Sequence, residues 1–387
     1  MLRIIGVDLG YDTEQVILRS SAEKFLTERY DYAAFRRSSE SDAGFDRELW
    51  SEFARLGWIG LPFAPDDGGS GGGAVELAIL MEAFGRHLVI EPYLATVVLG
   101  GGLLARLGSP AQRAAILPAV IEGRHFLAFA NDDAGAPARA QRRGTGYVLH
   151  GAKRMVLGGP MADTLLVSAQ LAADRLGVFV VPKDTEGITV RSARLVDGRR
   201  AADVTLAEVA MPQSTLLGGN EDAGMIVEAV IQQAIAASSA DAVGAIAAMV
   251  KATVDYTKTR VQFGQPLAGF QALQHRMVRM RIAEEEARAS SLLATLSLEG
   301  PPEARVRAVS GAKAKIGRCA RHVHQEAIQL HGAIGTTSEL SLGAYAKRLI
   351  AYEILLGSTR AHLRRYALTI GDPEIAARGL VMSGEPA

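Results

Sequence analysis

The chain has 387 residues, of which 48% are hydrophobic, enough to bury one large core or two to three packed ones. Lysine plus arginine number 42 and aspartate plus glutamate also number 42, so no basic surplus indicates binding to nucleic acid or an anionic membrane. The single cysteine, Cys319, excludes an intrachain disulfide and is typical of a reducing compartment. The N-terminus does not have the pattern of a signal peptide, and no run of about 18 apolar residues predicts a membrane span. We therefore expect a cytoplasmic protein.

The first third of the chain has helical periodicity, which predicts an N-terminal helical domain over residues 1–122. Asp12 and Gln15 have the spacing of a capping box, and apolar residues at helical intervals follow them. Three further helical patterns lie before residue 107, the last of them beginning near Tyr93. Segments rich in glycine and proline separate these patterns, as expected for loops between helices.

The pattern changes twice more along the chain. Between residues 123 and 219 the apolar residues come in four or five short β-rich bursts without helical patterns between them, which predicts a small antiparallel sheet or barrel. From residue 220 to residue 387 long helical segments return and predict a helical bundle. The expected fold is therefore mostly α with a central β-domain.

Three short motifs have structural explanations that are stronger than their functional ones. Residues 4–10 resemble the first phosphate loop of sugar kinases, but the further loops that such folds need are missing. The Gly-x-Ser-x-Gly pattern around Ser70 follows prolines and aspartates rather than the strand that a nucleophile elbow requires. His322 and His324 lie two residues apart and point away from each other on a helix, so with His331 they predict no metal site.

Two longer segments are more specific, namely YTKTRVQFGQPLAGFQALQHRM at 256–277 and QLHGAIGTTSELSLGAYAKR at 329–348. They resemble the Arg-x-x-Phe-Gly…Phe-Gln and Gln-x-x-Gly-Gly-x-Gly segments of the acyl-CoA dehydrogenase family. The resemblance extends over nearly the whole chain. It implies an N-terminal helical domain, a small β-barrel or sandwich, and a C-terminal four-helix bundle.

In that family FAD lies between subunits, with its pyrophosphate against an arginine of the neighbouring chain and its adenine end against the glutamine–glycine segment. A guanidinium pairs with phosphate in a fork geometry, and small residues let the backbone approach a cofactor closely. The resemblance implies the following FAD-binding positions here: Arg260, Phe263, Gln271, Gln329, Gly332, Ala333 and Ser358.

The positions that meet the flavin ring depart from the family pattern. Where the family has Thr-Glu-Pro-x-Ala-Gly-Ser-Asp, residues 130–137 read ANDDAGAP, so both hydroxyls are missing. Where it has Lys-x-Trp-Ile-Thr, residues 153–157 read KRMVL, so Met155 replaces the tryptophan and Leu157 the hydroxyl donor. Each buried polar atom of the flavin left without a partner costs about 1–3 kcal/mol.

The catalytic base of the family is also missing. The glutamate that removes the α-proton of the thioester normally precedes Gly-Thr, and Leu356 occupies that position before Gly357. A minority of the family carries the base on the long helix, where this chain has Ala234, next to Ile235 in place of an arginine. Glu353 and Asp241 are the nearest carboxylates in the sequence. The resemblance therefore assigns no catalytic residue to this chain, and no metal.

Three functional hypotheses follow from this pattern. The leading one is the small subunit of a heteromeric α2β2 enzyme of the pimeloyl-CoA type, which acts on acyl-CoA with FAD and passes electrons to an electron-transfer flavoprotein. The second is a self-sufficient homotetrameric dehydrogenase with another base, and Glu353 or Asp241 is then that base. The third is a non-catalytic acyl-CoA-binding protein on the same fold.

Overall fold

The computed structural model describes residues 10–172, 175–219 and 221–371, so the motif at residues 4–10 lies outside it except for Gly10. The N-terminal region is helical, as predicted. Its first helix begins with the expected capping box, in which the Gln15 amide donates to the Asp12 carboxylate (2.9 Å) and the Asp12 amide to the Gln15 side chain (3.1 Å). The helices are α1 (Thr13–Arg29), α2 (Tyr32–Glu40), α3 (Arg47–Arg55), α4 (Ala74–His87), α5 (Gly102–Leu107) and α6 (Pro110–Ile121).

Two of these helices, α2 and α6, were not predicted from the sequence. The helix α2 has only nine residues, of which five are polar or charged, so few apolar residues were available to show the pattern. For α6 the signal was present, because Ser109 and Gln112 form a capping box and Pro110 occupies the first helical position. The helical segment predicted from Tyr93 begins as a π-helix over Leu94–Gly101 and continues as α5.

The central region forms a sheet whose path runs β6-β7-β3-β2-β4-β5-β8, with β1 paired to β4. The strands are β1 (Leu127–Ala130), β2 (Arg139–Arg143), β3 (Gly146–Leu157), β4 (Thr164–Ala172), β5 (Arg175–Pro182), β6 (Ile188–Arg194), β7 (Arg200–Pro212) and β8 (Leu216–Leu217). The sequence predicted a small antiparallel sheet or barrel of four or five strands. The described residues of this region form eight strands, and β4 pairs in parallel with β1 and, through Arg139 and Gln170, with β2. The antiparallel hairpin of β2 and β3 lies between β1 and β4 in the chain, and it allows β4 to run in the same direction as β1.

The C-terminal region contains five helices among the described residues, α7 (Gly224–Thr259), α8 (Gln271–Leu296), α9 (Pro302–His331), α10 (Leu342–Ile354) and α11 (Thr359–Thr369). A short hairpin of β9 (Val261–Gln262) and β10 (Gln265–Pro266) joins α7 to α8. The helical bundle was predicted, but the break between α10 and α11 was not. The division of the chain after residues 122 and 219 stays a prediction.

The long helix α7 is the wall that the N-terminal and C-terminal regions share. Its length and hydropathy suit a membrane span, yet 89% of its most apolar window is buried inside the fold, which identifies it as a core helix. It crosses α4 in backbone contact, because a Cβ on Gly85 would lie 1.7 Å from the Asp241 carbonyl oxygen and one on Gly244 would lie 2.0 Å from that of Glu82. This close crossing fixes the part of α7 on which Asp241 lies.

Candidate active site

The turn between α10 and α11 holds Leu356, the position of the family's base. Leu356 has a φ of +57° and Gly357 one of +104°, a left-handed backbone that is unusual for leucine. Nε2 of the buried His362 donates to the Leu356 carbonyl oxygen at 2.8 Å, and Ser358 caps α11 by accepting from the Ala361 amide at 3.2 Å. The turn is therefore well held, but the side chain that it presents cannot take a proton.

The alternative base position on α7 is equally apolar. Ala234 is fully buried in the core that α7 forms with the N-terminal region, and Ile235 is buried in the C-terminal core. The partly buried Leu356 packs against both of these cores. Both positions from which the family presents its base thus belong to hydrophobic packing here.

Glu353 lies on α10 and forms an ion pair with Arg321 of α9, and its side chain retains 23% of its exposure. The partner is a full positive charge, so the carboxylate is already engaged by a cation of its own chain. Glu353 is therefore a surface ion-pair residue rather than a carboxylate held ready for a substrate.

Asp241 belongs to a buried group of charges around Arg348 that we call the Arg348 cluster, formed by Arg348, Asp241, Asp197, Arg199 and Glu91. Nε of Arg348 is 3.4 Å from Asp241 and Nη1 is 3.5 Å from Asp197, while the side chain also donates to the Val89 carbonyl oxygen. Arg199 binds Asp197 through Nε at 2.6 Å and Nη2 at 2.5 Å. The cluster joins the N-terminal region, the β6–β7 turn, α7 and α10.

The carboxylates of the Arg348 cluster differ in their electrostatics. Burial raises the pKa of Asp241, although Arg348 and Arg199 oppose the shift. At Asp197 burial acts in the same direction, but Arg199 and Arg348 outweigh it and leave the pKa below its usual value. Burial raises the pKa of Glu91 to about 7, because its contacts are backbone amides and the Tyr30 hydroxyl rather than a cation.

A partly open cavity of about 30 Å³ lies beside the Arg348 cluster. Leu157 and Gly158 of the β-domain line one side of it, and Tyr93 and Ala95 line another. Arg348, Arg199, Arg200, Asp241 and Glu91 supply its polar wall. A cavity of this volume holds one or two water molecules.

The loop at residues 131–138, which replaces the family's hydroxyl-bearing segment, is fastened to the sheet by Lys153. Nζ of this buried lysine donates to the Asn131 carbonyl oxygen (2.9 Å), the Asp133 carboxylate (2.7 Å) and the Ser168 hydroxyl (3.1 Å). Burial lowers the pKa of Lys153, and Asp133 counteracts the shift. The polar groups of the loop are thus engaged with one another rather than left for a ligand.

The two residues that replace the ring-contacting Trp and Thr are placed differently. Met155 sits at an irregularity of the β3–β7 pairing with a φ of +53°, and its side chain is 54% exposed. Leu157 is buried and lines the cavity beside the Arg348 cluster. The flavin-ring end of this chain therefore offers an exposed thioether and a buried aliphatic group, which do not fit the polar edge of a flavin.

The residues predicted to meet the adenine and phosphate end of FAD lie together at one end of the C-terminal region. Tyr256, in the last turns of α7, stacks on His331 at the end of α9 with ring centroids 4.3 Å apart, which brings the Arg260 and Gln329 segments side by side. Arg260 is exposed and makes no side-chain ion pair among the described residues. An exposed guanidinium of this kind can pair with an anionic group such as a phosphate.

The remaining residues of this end project from the surface. Phe263, at the tip of the β9–β10 hairpin, is 89% exposed with a φ of +53°, and its ring meets Phe270 edge-on. Gln271, Gln329 and Ala333 are exposed, and Gly332 has a φ of +67°. Ser358, by contrast, uses its hydroxyl as the cap of α11.

The described residues contain no group of three or more histidine, cysteine, aspartate or glutamate side chains that could hold a metal ion. Sequence reasoning missed the Arg348 cluster. Its members lie at positions 91, 197, 199, 241 and 348, so no local spacing links them. The one signal in the sequence was Arg348 itself, a positive charge inside the apolar pattern of α10.

Comparisons with known proteins cover most of the chain. Family models of the N-terminal, middle and C-terminal domains of acyl-CoA dehydrogenases match residues 12–124, 130–211 and 226–370. The probable acyl-CoA dehydrogenase YngJ of Bacillus subtilis is 27% identical over 343 residues, which cover 84% of this chain and 90% of that protein.

Two solved structures have the same fold over nearly the full length. A variant of the Tcur3481–Tcur3483 steroid ACAD is 27% identical with a TM-score of 0.83, and the match covers 95% of this chain and 99% of that chain. PigA with FAD and proline is 25% identical with a TM-score of 0.87, over 94% of this chain and 99% of that chain. These matches confirm the mostly α fold with a central β-domain.

Proposed function

The chain belongs to the acyl-CoA dehydrogenase family, and from that premise we propose that it is the base-deficient small subunit of a heteromeric acyl-CoA dehydrogenase. The complex introduces an α,β double bond into an acyl-CoA thioester in a β-oxidation-type pathway in the cytoplasm. Bound FAD would supply the hydride acceptor of this complex, and an electron-transfer flavoprotein would be the next electron carrier.

One observation carries this proposal: Leu356 and Ala234 are both apolar and both belong to the hydrophobic cores. Removal of an α-proton needs a group that accepts it within hydrogen-bond reach of the carbon-bound proton. Neither side chain has a lone pair for that purpose. The base must therefore come from another polypeptide.

The two carboxylates nearest in sequence do not supply the missing group. Glu353 is paired with Arg321, and Asp241 contacts Arg348 inside the fold. Asp241 retains only 11% of its side-chain exposure, and the cavity beside it has room for water alone. A self-sufficient homotetramer is disfavoured for this reason.

The contribution of this chain is to bind the phosphate and adenine end of a shared FAD. Arg260 places a fork of donors at the surface, and the Gln329–Ala333 turn offers backbone beside it. The ring end lacks the hydroxyl partners, so the partner subunit holds the isoalloxazine. The two-component name of the steroid ACAD among the similar structures supports an α2β2 arrangement. A pimeloyl or steroid acyl group is compatible with this proposal.

The test compares the purified chain with the chain co-purified with the dehydrogenase subunit encoded beside it. Turnover of acyl-CoA with a dye acceptor and flavin per polypeptide are measured for both. We expect no turnover from the single chain and one flavin per pair in the complex. Steady turnover by the chain alone contradicts the proposal, and a complex without flavin favours a non-catalytic role.

A further inference from the structure

A groove crosses the surface of the C-terminal region between α8 and α11, with α9 as its floor. Its volume is about 510 Å³, which lies within the roughly 300–1,000 Å³ of pockets that bind organic ligands. Leu293 of α8 belongs to one wall, and Leu363 and Tyr366 of α11 belong to the other. Residues 304–318 of α9 lie between them. We call this space the α9 groove.

The depth of the α9 groove comes from small residues on one face of α9. Ala304, Ala308 and Gly311 are four and three residues apart, so they follow one another along the same side of the helix. The ring of Tyr366 packs against the last of them, because a Cβ on Gly311 would lie 3.1 Å from that ring. The floor thus leaves space that larger side chains would fill, and the wall of α11 is held against it.

The walls of the α9 groove are apolar and partly exposed. Leu293 is 58% exposed and Leu363 is 39% exposed. Leucines that line one groove gain free energy when an apolar body covers them. An inorganic anion would leave both side chains in contact with water, so the walls favour a ligand with an aliphatic part.

The charge of the α9 groove is positive. Arg307, Lys315 and Arg318 line it, and no carboxylate of the described residues does. Nζ of Lys315 lies 2.8 Å from Glu286, and the Arg307 guanidinium donates to the Thr369 carbonyl oxygen at 2.8 Å. Arg318 is exposed and makes no side-chain ion pair within the described part of the chain. Its donors are therefore available to an anion.

The cations also give the groove a direction. Lys315 and Arg318 lie within one turn of each other and form a cationic end. From Lys315 the floor extends over eleven residues to Ala304, which is about 16 Å along the helix axis. Arg307 lies beside this path, where its aliphatic stem can pack against a chain while its guanidinium keeps its own hydrogen bond. The groove thus suits an anion joined to an aliphatic chain.

Two protein occupants fit the α9 groove less well. A second copy of this chain would meet the groove about a twofold axis, which brings its three cations towards their own symmetry copies. A different protein would have to bury these cations, although the cores of protein interfaces are depleted of charged side chains. A small anion with an apolar body avoids both conflicts.

We propose that the α9 groove binds an aliphatic chain with a terminal anion, of which a free medium-chain carboxylate is the simplest. The carboxylate pairs with Lys315 and Arg318, and the chain lies along the small residues of the floor. The groove occupies the first half of α9, whereas the predicted FAD-binding positions begin at Gln329 near its end. The site therefore goes beyond the proposed function and needs neither flavin nor a partner subunit.

The test measures binding of decanoate, butyrate and decyltrimethylammonium to the full-length chain at neutral pH by calorimetry. We expect decanoate to bind at least about tenfold more tightly than butyrate, because six further methylenes become partly buried. Decyltrimethylammonium has a tail of similar length with the opposite charge, and it should bind at least about tenfold more weakly than decanoate. Equal binding of the two long-chain compounds, or no binding of decanoate at millimolar concentration, would overturn the proposal.

Single substitutions test whether the ligand lies in the α9 groove. Arg318→Ala removes the free cation and Leu293→Ala removes part of a wall, so each should weaken decanoate binding by at least about fivefold. Leu296→Ala is the matched control for the wall, because Leu296 is 50% exposed on the same helix but does not line the groove. Arg279→Ala removes an exposed arginine of α8 outside the groove and is the control for charge.

We expect both controls to bind decanoate like the wild type. All four side chains are exposed, so these variants should fold, and circular dichroism checks that they do. If one groove variant does not fold, the other decides. An unchanged Kd in the folded groove variants would place the ligand elsewhere and overturn the assignment.

An anionic membrane is the other form in which such chains and anions occur together. Sedimentation with vesicles of phosphatidylcholine and phosphatidylglycerol distinguishes the two sources, and we expect no binding to these vesicles. Binding to them without binding of free decanoate would identify this face as a membrane contact and overturn the proposal. Neither result bears on turnover, so the two-subunit proposal is tested separately.

Discussion

Nε2 of His362 lies 2.8 Å from the carbonyl oxygen of Leu356 and donates a hydrogen bond to it. This contact joins the first turns of α11 to the α10–α11 turn and holds Leu356 in a left-handed conformation. Gly357 follows with a φ of +104°, and a Cβ there would lie 2.7 Å from His362 Nε2. The backbone at the position of the family's base is thus held in place, but the leucine side chain at this position cannot accept a proton.

Replacing Gly357 with alanine tests how firmly this turn is held. The new Cβ strains a positive φ and displaces the His362 ring, so we expect the free energy of unfolding to fall by about 2 kcal/mol. The measurement is urea denaturation followed by circular dichroism. Gly343→Ala is the matched control, because a Cβ there would lie 3.7 Å from its nearest neighbour, the Thr337 carbonyl oxygen, and alanine favours the helix α10 in which Gly343 lies. An equal loss in both variants contradicts this account.

Removing the central cation of the Arg348 cluster should strongly destabilise the fold. In Arg348→Met, Asp241 and Asp197 lose a buried partner and the Val89 carbonyl loses its donor, so we expect a loss of about 3–5 kcal/mol in unfolding free energy. Arg321→Met, which breaks the more exposed pair with Glu353, should cost less than about 1 kcal/mol. Chemical denaturation of both variants checks the difference. Similar small losses would mean that the cluster is not a structural centre.

Glu91 predicts a pH dependence of stability. Its pKa is about 7 in the folded protein, above its value of about 4.3 in an unfolded chain, so the folded state binds the proton more tightly. Because the folded state binds this proton more tightly, the contribution of Glu91 to the free energy of unfolding is highest below pH 4. This contribution falls by about 3–4 kcal/mol at most as the pH rises from about 4 to 7. The Tyr30 hydroxyl and Asp46 are its titratable neighbours and add no cation.

The variant Glu91→Gln removes this proton equilibrium and keeps an acceptor for one of the two backbone amides, those of Ile90 and Asp46, that donate to the carboxylate oxygens. Urea denaturation between pH 5 and pH 8 should give a flatter stability profile for this variant than for the wild type. Glu339→Gln, at an exposed position, should leave the profile unchanged. Parallel profiles for Glu91→Gln and wild type would show that the buried carboxyl is already ionised.

Arg260 should affect flavin retention in the assembled complex rather than folding of the chain. Loss of a charge-assisted contact to phosphate weakens binding by at least about tenfold, so Arg260→Ala should lower the flavin content at limiting FAD. Arg260→Lys should recover only part, because lysine lacks the fork. Arg279→Ala removes an exposed arginine from the nearby helix α8 and is the control. Equal flavin content in all of these variants contradicts a phosphate-binding role.

The sequence was sufficient for those features that depend on local patterns. Helical periodicity and the capping box at Asp12 located α1, and the uninterrupted apolar pattern located α7. The strand β2 was missed because four of its five residues are polar, and pairing with β3 rather than side-chain burial makes it a strand. Local propensity does not contain that information.

Part of the candidate site could likewise be predicted from the sequence, and part could not. The absence of the family's base at Leu356 could be predicted, because the motif around this position consists of consecutive residues. The Arg348 cluster could not be predicted from the sequence, because Asp197 and Asp241 meet Arg348 only after separate regions of the chain have packed together. Only tertiary packing brings these charged side chains together inside the fold.

Exchange of the α-protons of an acyl-CoA in D2O tests most directly whether this chain has a base of its own. The chain is incubated with octanoyl-CoA in D2O, and deuterium at the α-carbon is measured by mass spectrometry or proton NMR, which requires neither flavin reduction nor an electron acceptor. We predict incorporation no faster than in buffer, since no carboxylate of this polypeptide reaches the α-carbon, and faster exchange once the partner subunit is added. Exchange catalysed by the chain alone, and abolished by Glu353→Gln or Asp241→Asn, would contradict the account.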